Sequence, residues 1–441
     1  MSLCTTAVAS TLTVTNKVRQ RMDGWGASWI STTENDPESS ASITRAQATA
    51  EDDLVFGDLG LDLIRVWAPS FGSNGVDSPG GPQVWNVSDG RLVAMRRVRS
   101  RFPKVRFVLT GAALPLALRA PGSDARAVTG RLRPGDEGQY GDYLVALLAV
   151  AQQQGTPFEF VSVGNEPDNC TCYFWAIMDA GQAGLVAERV AEAIRRNRWP
   201  TRIVVADTEG WGSFSAYANT ALTQPSVRAV TGVLASHGYR DRSPATLAQG
   251  SALAARLRLP LWMTEFTIDD LSPHIRTTME EAIEWSGPLY GDLHDAQVSA
   301  EMYLRAVADA RDGANGGPIV RSSAGLARSK TFFLLKQYVR AAPRRAVRLE
   351  VTGGTDLAAL AFRRSGRIAV VLTNTGTRRR HVGLDLGRRG GWLCLRRTAP
   401  RENFTLTLRR NYTAPRRSRR FTFPLALPAM SVSTYFTGSR C

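Results

Sequence analysis

Two glutamates stand where buried apolar runs end. Phe158-Glu-Phe-Val-Ser-Val-Gly-Asn-Glu-Pro167 delivers Asn165 and Glu166 after an apolar stretch, and Leu261-Trp-Met-Thr-Glu265 does the same for Glu265. An ionised carboxylate at the top of a buried strand is costly unless it is paired or used. Pro167 removes a backbone donor, stops the strand and so fixes how the preceding carboxylate projects. Two carboxyls in one place can break a glycosidic bond. One protonates the leaving oxygen, and the other attacks the anomeric carbon or activates water. With retention of configuration the two lie about 5–5.5 Å apart. The competing reading is a pair of unrelated salt bridges, and the Asn–Glu–Pro context of Glu166 argues against it.

The elements around these residues repeat one pattern. Helical stretches (43–59, 92–100, 140–154, 185–197, 246–257) alternate with short apolar strands (61–67, 105–110, 158–163, 202–206, 234–239, 261–265). Strands and helices at this spacing form parallel βα units, and seven or eight of them favour a closed barrel, with chemistry at the C-terminal ends of its strands. The Gly-rich segment Asp23-Gly-Trp-Gly-Ala-Ser28 reads as a turn, and residues 296–312 read as a closing helix. An eighth strand is harder to find; only Pro318–Val320 offers itself. From Ala346 onward the helices stop. Short alternating strands follow (347–351, 358–362, 368–372, 404–408, 431–436), as in a β-sandwich. The N-terminal strand 10–21 is expected to pair with that module. This predicts an α/β fold: a (β/α)8 TIM barrel over residues 22–340, with an appended all-β sandwich from 1–21 plus 341–441.

Composition bounds the partners. The net charge is +16, and all but four of the 55 Lys and Arg are arginine. The arginines cluster late, at 378–380, 396–397 and 416–420, without the interleaved aromatics of a nucleic-acid module. Nucleic acid is therefore not expected, whereas a solvated basic face or attraction to acidic polysaccharide is. No run of 18 apolar residues predicts a membrane span. The five cysteines (Cys4, Cys170, Cys172, Cys394, Cys441) make no metal pattern, and their odd number leaves one thiol free or bonded elsewhere. Four N-x-S/T sequons, at Asn86, Asn169, Asn403 and Asn411, lean toward a secretory route, although Met1–Ser10 does not read as a signal peptide.

Several of these motifs, in this order, resemble glycoside hydrolase family 30, of the (β/α)8 glycosidase clan. They are Asp23-Gly-Trp-Gly-Ala-Ser28, Leu59-Gly-Leu-Asp-Leu-Ile-Arg-Val66, Asn165-Glu-Pro-Asp168, His237-Gly-Tyr239, Trp262-Met-Thr-Glu-Phe266, the helix 330–340 and the closing strand 427–434. Asn-Glu-Pro alone marks the clan; the ordered set is more specific and spans most of the chain. The resemblance implies Glu166 as acid/base and Glu265 as nucleophile, acting by double displacement without cofactor or metal. It implies that Arg65 keeps the nucleophile ionised, that Asn165 bonds the sugar 2-OH, and that His237 and Tyr239 face Glu265 or the sugar. Thr110-Gly-Ala-Ala-Leu-Pro115 departs from the Ser-Pro-Trp-Ser-Pro-Pro stretch of relatives. Sugar rings stack on aromatic faces, and Trp25 and Trp211 are the tryptophans expected in the cleft. The expected protein is a secreted, monomeric, endo-acting hydrolase of a β-1,6-galactan, β-1,6-glucan or xylan type. The alternative is a catalytically weak glycan-binding relative with an incomplete barrel.

Overall fold

The computed structural model describes residues 10–28, 43–68, 90–112, 114–121, 130–169, 176–267, 278–309, 317–353, 357–387, 390–413 and 421–438. Cys4, Cys170, Cys172, Cys441, Asn86 and residues 416–420 lie outside them. The chain divides into two compact units. One is Trp25–Thr267 with Val298–Val307; the other is Met1–Gly24, Ile268–Gln297 and Ala308–Cys441.

The chain begins with β1 (Thr11–Arg21) and then enters a closed barrel of eight strands. These are β2 (Gly24–Ser28), β3 (Leu63–Trp67), β4 (Arg106–Thr110), β5 (Phe160–Ser162), β6 (Arg202–Gly210), β7 (Thr231–Arg240), β8 (Leu261–Phe266) and β9 (Ala300–Tyr303). Every strand of β2–β8 pairs in parallel with the next, and β8 pairs in parallel with β9. Leu63, Val108, Phe160, Val204, Val233, Ala235, Trp262, Ala300 and Met302 pack inside as one cluster. The barrel is thus a filled core, and a polar side chain at its mouth rests on an apolar plug.

Three expectations need correction here. The Gly-rich segment is not a turn but the first barrel strand, β2. Its Gly26 is required by close approach, because a Cβ there would lie 2.6 Å from the Leu63 carbonyl oxygen and 2.8 Å from the Leu63 Cβ. The expected helix 296–312 is overturned in its described part, residues 296–309, which contains β9, the eighth strand. All four residues of β9 are buried. A parallel strand covered on both faces loses the period-two alternation that marks a strand, and Ala, Glu, Met and Leu lend it helical propensity instead. Pro318–Val320 is not the eighth strand. Ile319–Ser322 lies in a separate three-stranded sheet with Val307–Asp309 and Gly325–Arg328. The barrel is complete without it.

The helices start where local chemistry permits. Asp179 caps Ala180–Asn197 and forms a capping box with Gln182. Ser243 caps Pro244–Leu257, with proline in the first turn. No described helix is long and apolar enough to cross a membrane.

The second unit carries one nine-stranded sheet. After β1 its members are β10 (Val347–Thr352), β11 (Ala358–Arg364), β12 (Arg367–Asn374), β13 (Arg380–Asp385), β14 (Gly390–Ala399), β15 (Glu402–Thr413), β16 (Thr422–Leu427) and β17 (Ser431–Thr437). Their order is β15-β14-β17-β12-β11-β10-β1-β13-β16. The N-terminal strand joins as expected, antiparallel to β10 and parallel to β13. The sheet curls so that its two edge strands meet. Tyr412 of β15 lies 5.0 Å from Phe423 of β16, ring to ring. Strict alternation in β16, with Phe423, Leu425 and Leu427 buried and their neighbours exposed, turns one face onto the shared core. Cys394 of β14 is disulfide-bonded.

Candidate active site

Four barrel strands and the β5–β6 connection send polar side chains to one mouth. Arg65 shares its face of β3 with the core residue Leu63, two positions earlier, so it points inward. Its side chain is fully buried. A buried guanidinium is costly unless it is paired. Arg65 Nη1 donates to Glu265 Oε2 at 2.5 Å, and Nη2 donates to Asn165 Oδ1 at 2.6 Å and Asp207 Oδ2 at 2.9 Å.

Glu166 follows β5 in the left-handed region, at φ 48°. That conformation is uncommon for a residue with a side chain. Backbone bonds hold it there. Glu166 N–H donates to the Asp207 carbonyl at 3.0 Å, and Asn165 N–H to the Gly111 carbonyl at 2.6 Å. Asp207 itself has φ 52° and follows Ala206 at φ 82°, where β6 shifts register against β7. In β8, the four residues from Met263 to Phe266 run against the three from Glu301 to Tyr303. Such bulges re-aim side chains, and here they turn Asp207 and Glu265 toward the mouth.

The resulting cluster is continuous. His237 shares a 2.7 Å hydrogen bond between Nδ1 and Glu166 Oε1, and its Nε2 lies 3.4 Å from Asp207 Oδ1. Glu166 Oε2 accepts from Asn169 Nδ2 at 2.9 Å. Glu265 Oε1 accepts from the Tyr239 hydroxyl at 3.0 Å. Asp207 Oδ1 accepts from Thr264 Oγ1 at 2.5 Å. One carboxylate oxygen of Glu166 and one of Glu265 lie within 4.8 Å of each other. Asn165 Nδ2 is buried and has no hydrogen-bond partner among the described residues.

Burial sets the electrostatics, and neighbours modify it. It works to lower the pKa of His237, yet the negative charge of Glu265 and the bonds to Asp207 and Glu166 push it up to about 9. Burial would raise Glu166, but the hydrogen bond and charge of His237, with Asn169 and Arg65, hold it down. Burial raises Glu265 and the charge of Glu166 adds to this, against the pull of His237, Arg65 and Tyr239. Burial also opposes ionisation of Asp207, but Arg65, His237 and Thr264 keep it far below the usual carboxylate range. Asp207 is therefore the fixed counter-charge of Arg65, while Glu166, Glu265 and His237 share the exchangeable protons.

The structure brings Glu166, Glu265, Arg65, Asn165, His237 and Tyr239 together. It places Trp25 and Trp211 elsewhere. Each is 2% exposed. Trp25 lies within β2, and Trp211 packs edge-on against Phe214 and over Gly250 of helix Pro244–Leu257. Sequence reasoning missed Asp207, Thr264 and Asn169. Asp207 follows the apolar run Ile203-Val-Val-Ala206, so the same strand-end rule that flags Glu265 would flag it. Asn169 was read as a sequon; 2% exposed and bonded to Glu166, it belongs to the site. Glu166, His237 and Glu265 could also contact one divalent cation. Arg65, bonded to Glu265, already holds a positive charge there and opposes another.

The fold and this cluster define a (β/α)8-barrel protein with a carboxyl pair on strands four and seven and a β-sheet unit beside it in the chain. Neither known family models nor curated proteins match the sequence. Solved structures match the fold over nearly its whole length. A family 30 subfamily 8 xylanase from Clostridium acetobutylicum is 18% identical with a TM-score of 0.74, covering 97% of this chain and 99% of that one. The catalytic domain of xylanase C from Talaromyces cellulolyticus is 20% identical with a TM-score of 0.73, covering 97% and 100%. An endo-β-1,6-glucanase is 16% identical with a TM-score of 0.70, covering 98% and 94%.

Proposed function

We propose that the chain is a retaining glycoside hydrolase of β-linked glycans, with Glu265 as nucleophile and Glu166 as acid/base. The observation that carries this reading is the spacing of the two carboxyls, one oxygen of each lying within 4.8 Å of the other. Retention calls for about 5–5.5 Å, whereas inversion needs about 6.5–9.5 Å to seat a water. Both carboxyls accept on both oxygens from groups that favour the anion, Arg65 and Tyr239 for Glu265, Asn169 and His237 for Glu166; what differs is the proton beside them. Glu166 shares a bond with an imidazole that carries a proton.

In the first step Glu265 attacks the anomeric carbon, and Glu166 passes its proton to the leaving oxygen. His237, across the 2.7 Å bond, supplies that proton when Glu166 has lost its own. In the second step Glu166 takes a proton from water, which displaces Glu265 from the sugar. Asn165, with its carbonyl fixed by Arg65, offers Nδ2 to a sugar hydroxyl. Polymers of the β-1,6-galactan, β-1,6-glucan or xylan type, cut internally, are the proposed substrates. The shared fold with xylanases and an endo-β-1,6-glucanase supports that class. The exposed sequons at Asn403 and Asn411 agree with a secreted enzyme.

A β-glycan panel assayed by reducing-end release tests the reading. Wild type should cleave at least one polymer, and Glu265→Gln should lose orders of magnitude in kcat while still binding it. A wild type inert on the whole panel, or a Glu265→Gln variant that keeps its rate, would overturn it.

A further inference from the structure

The β-sheet unit holds a cavity of about 570 Å³, within the size range of small-molecule sites. Five cations line it, Lys336, Arg340, Arg364, Arg367 and Arg396, and no carboxylate does among the described residues. Phe362 and Phe436 add buried apolar surface.

The cations stand where they oppose one another. Arg364 and Arg367 are direct cross-strand partners at the end of the β11–β12 hairpin. Its two-residue turn, Ser365-Gly366, has φ 48° and 76°, which fixes the register. Like charges directly opposite in a sheet destabilise it. Lys336 and Arg340 sit four residues apart on helix Lys330–Ala341, another unfavourable like-charge pair. Arg396 Nη1 donates to the Phe404 carbonyl at 3.2 Å, while its Nε is buried with no hydrogen-bond partner among the described residues. Phe404 has φ 54°, rare for a bulky residue. Its ring meets Lys336 Nζ at 5.1 Å and Arg396 Cζ at 5.2 Å and so holds both cations at the cavity. Five cations gathered in one concavity, with no acid in its lining among the described residues, favour an anion there.

We propose that this cavity is a second, non-catalytic saccharide site for a sugar bearing an anionic group, either a uronate carboxylate or a sulfate ester. Paired arginine forks suit both groups, and the apolar surface suits a pyranose face. The anion preference stands on the cavity alone; the saccharide class rests on the glycan-hydrolase reading.

Affinity electrophoresis tests it in gels holding polygalacturonate, a sulfated galactan or a neutral galactan. Wild type should be retarded by at least one anionic polymer, and which one identifies the group. Arg364→Ser with Arg367→Ser should weaken that binding about tenfold or more. Arg195→Ser with Arg196→Ser, which removes equal charge from an exposed helix, should leave it within about twofold. Without glycan the hairpin variant should melt close to wild type, because relieved repulsion offsets the lost Arg367 bond to the Thr437 carbonyl. If it does melt lower, Arg396→Gln is read in its place. No retardation by either polymer, or equal weakening by the two double variants, overturns the proposal. Single-stranded DNA bound as tightly, with the same dependence on Arg364 and Arg367, overturns the saccharide assignment. Hydrolysis is scored separately. Cleavage without anionic binding removes only this site, and anionic binding without cleavage removes only the hydrolase reading.

Discussion

At the scale of single residues, Glu166 and Glu265 differ in what surrounds their oxygens. As the proposed nucleophile Glu265 must be ionised to attack, and burial raises its pKa. Activity should therefore fade as pH falls through a value above the ordinary glutamate value of about 4.3. As the proposed acid Glu166 must deliver a proton, and the Glu166–His237 pair keeps one until pH passes the His237 value of about 9. The kcat/KM profile should be bell-shaped with its alkaline limb near there, and His237→Asn should move that limb to lower pH. An unmoved limb would remove His237 from the proton inventory. Asp207 makes a different prediction. Breaking a buried pair strands a charge, at about 3–5 kcal/mol. Asp207→Asn removes the fixed counter-charge of Arg65, so urea unfolding should show a loss of about 3 kcal/mol. A loss under about 1 kcal/mol would show that Glu265 alone balances Arg65.

At the scale of elements, the site depends on irregular backbone at three strand ends. Gly111 shows how little slack there is. A Cβ there would lie 2.5 Å from the Val163 carbonyl oxygen and 2.7 Å from Tyr140 Oη. The same glycine accepts from Asn165, one residue before Glu166. Gly111→Ala should displace the β5 end and cut kcat at least tenfold, for about 1–3 kcal/mol of stability. Steady-state kinetics beside a melting curve would check this, and unchanged kcat would show that the β5 end is not held through Gly111. Such irregularity also explains what the sequence could and could not disclose. Apolar runs ending in Glu166 and Glu265 were legible, because a charge at the end of a buried strand is conspicuous. The first and eighth strands were not, since β2 looks like a glycine turn and β9 has no alternation. Asp207 closes its apolar run as plainly as Glu265 does, but it has no flanking motif such as Asn-Glu-Pro to set it apart. Tryptophan type gave no guide to position, for Trp25 and Trp211 are large enough to serve the core as well as a cleft.

At the scale of the whole chain, the closed barrel removes the reason for suspecting an incomplete, weakly active relative. Each unit has its own core. In the barrel the acids at the mouth stand against Arg65 and His237. In the β unit five cations line one cavity, which gives part of the net charge of +16 a defined place. The central claim concerns the barrel: two carboxyls close enough for one to form a bond to the sugar. Proton NMR of the first product released from a cleaved β-glycan reads this directly. The account predicts that the β anomer appears first and mutarotates afterwards. Initial release of the α anomer would contradict it, because Glu265 could then not be the nucleophile.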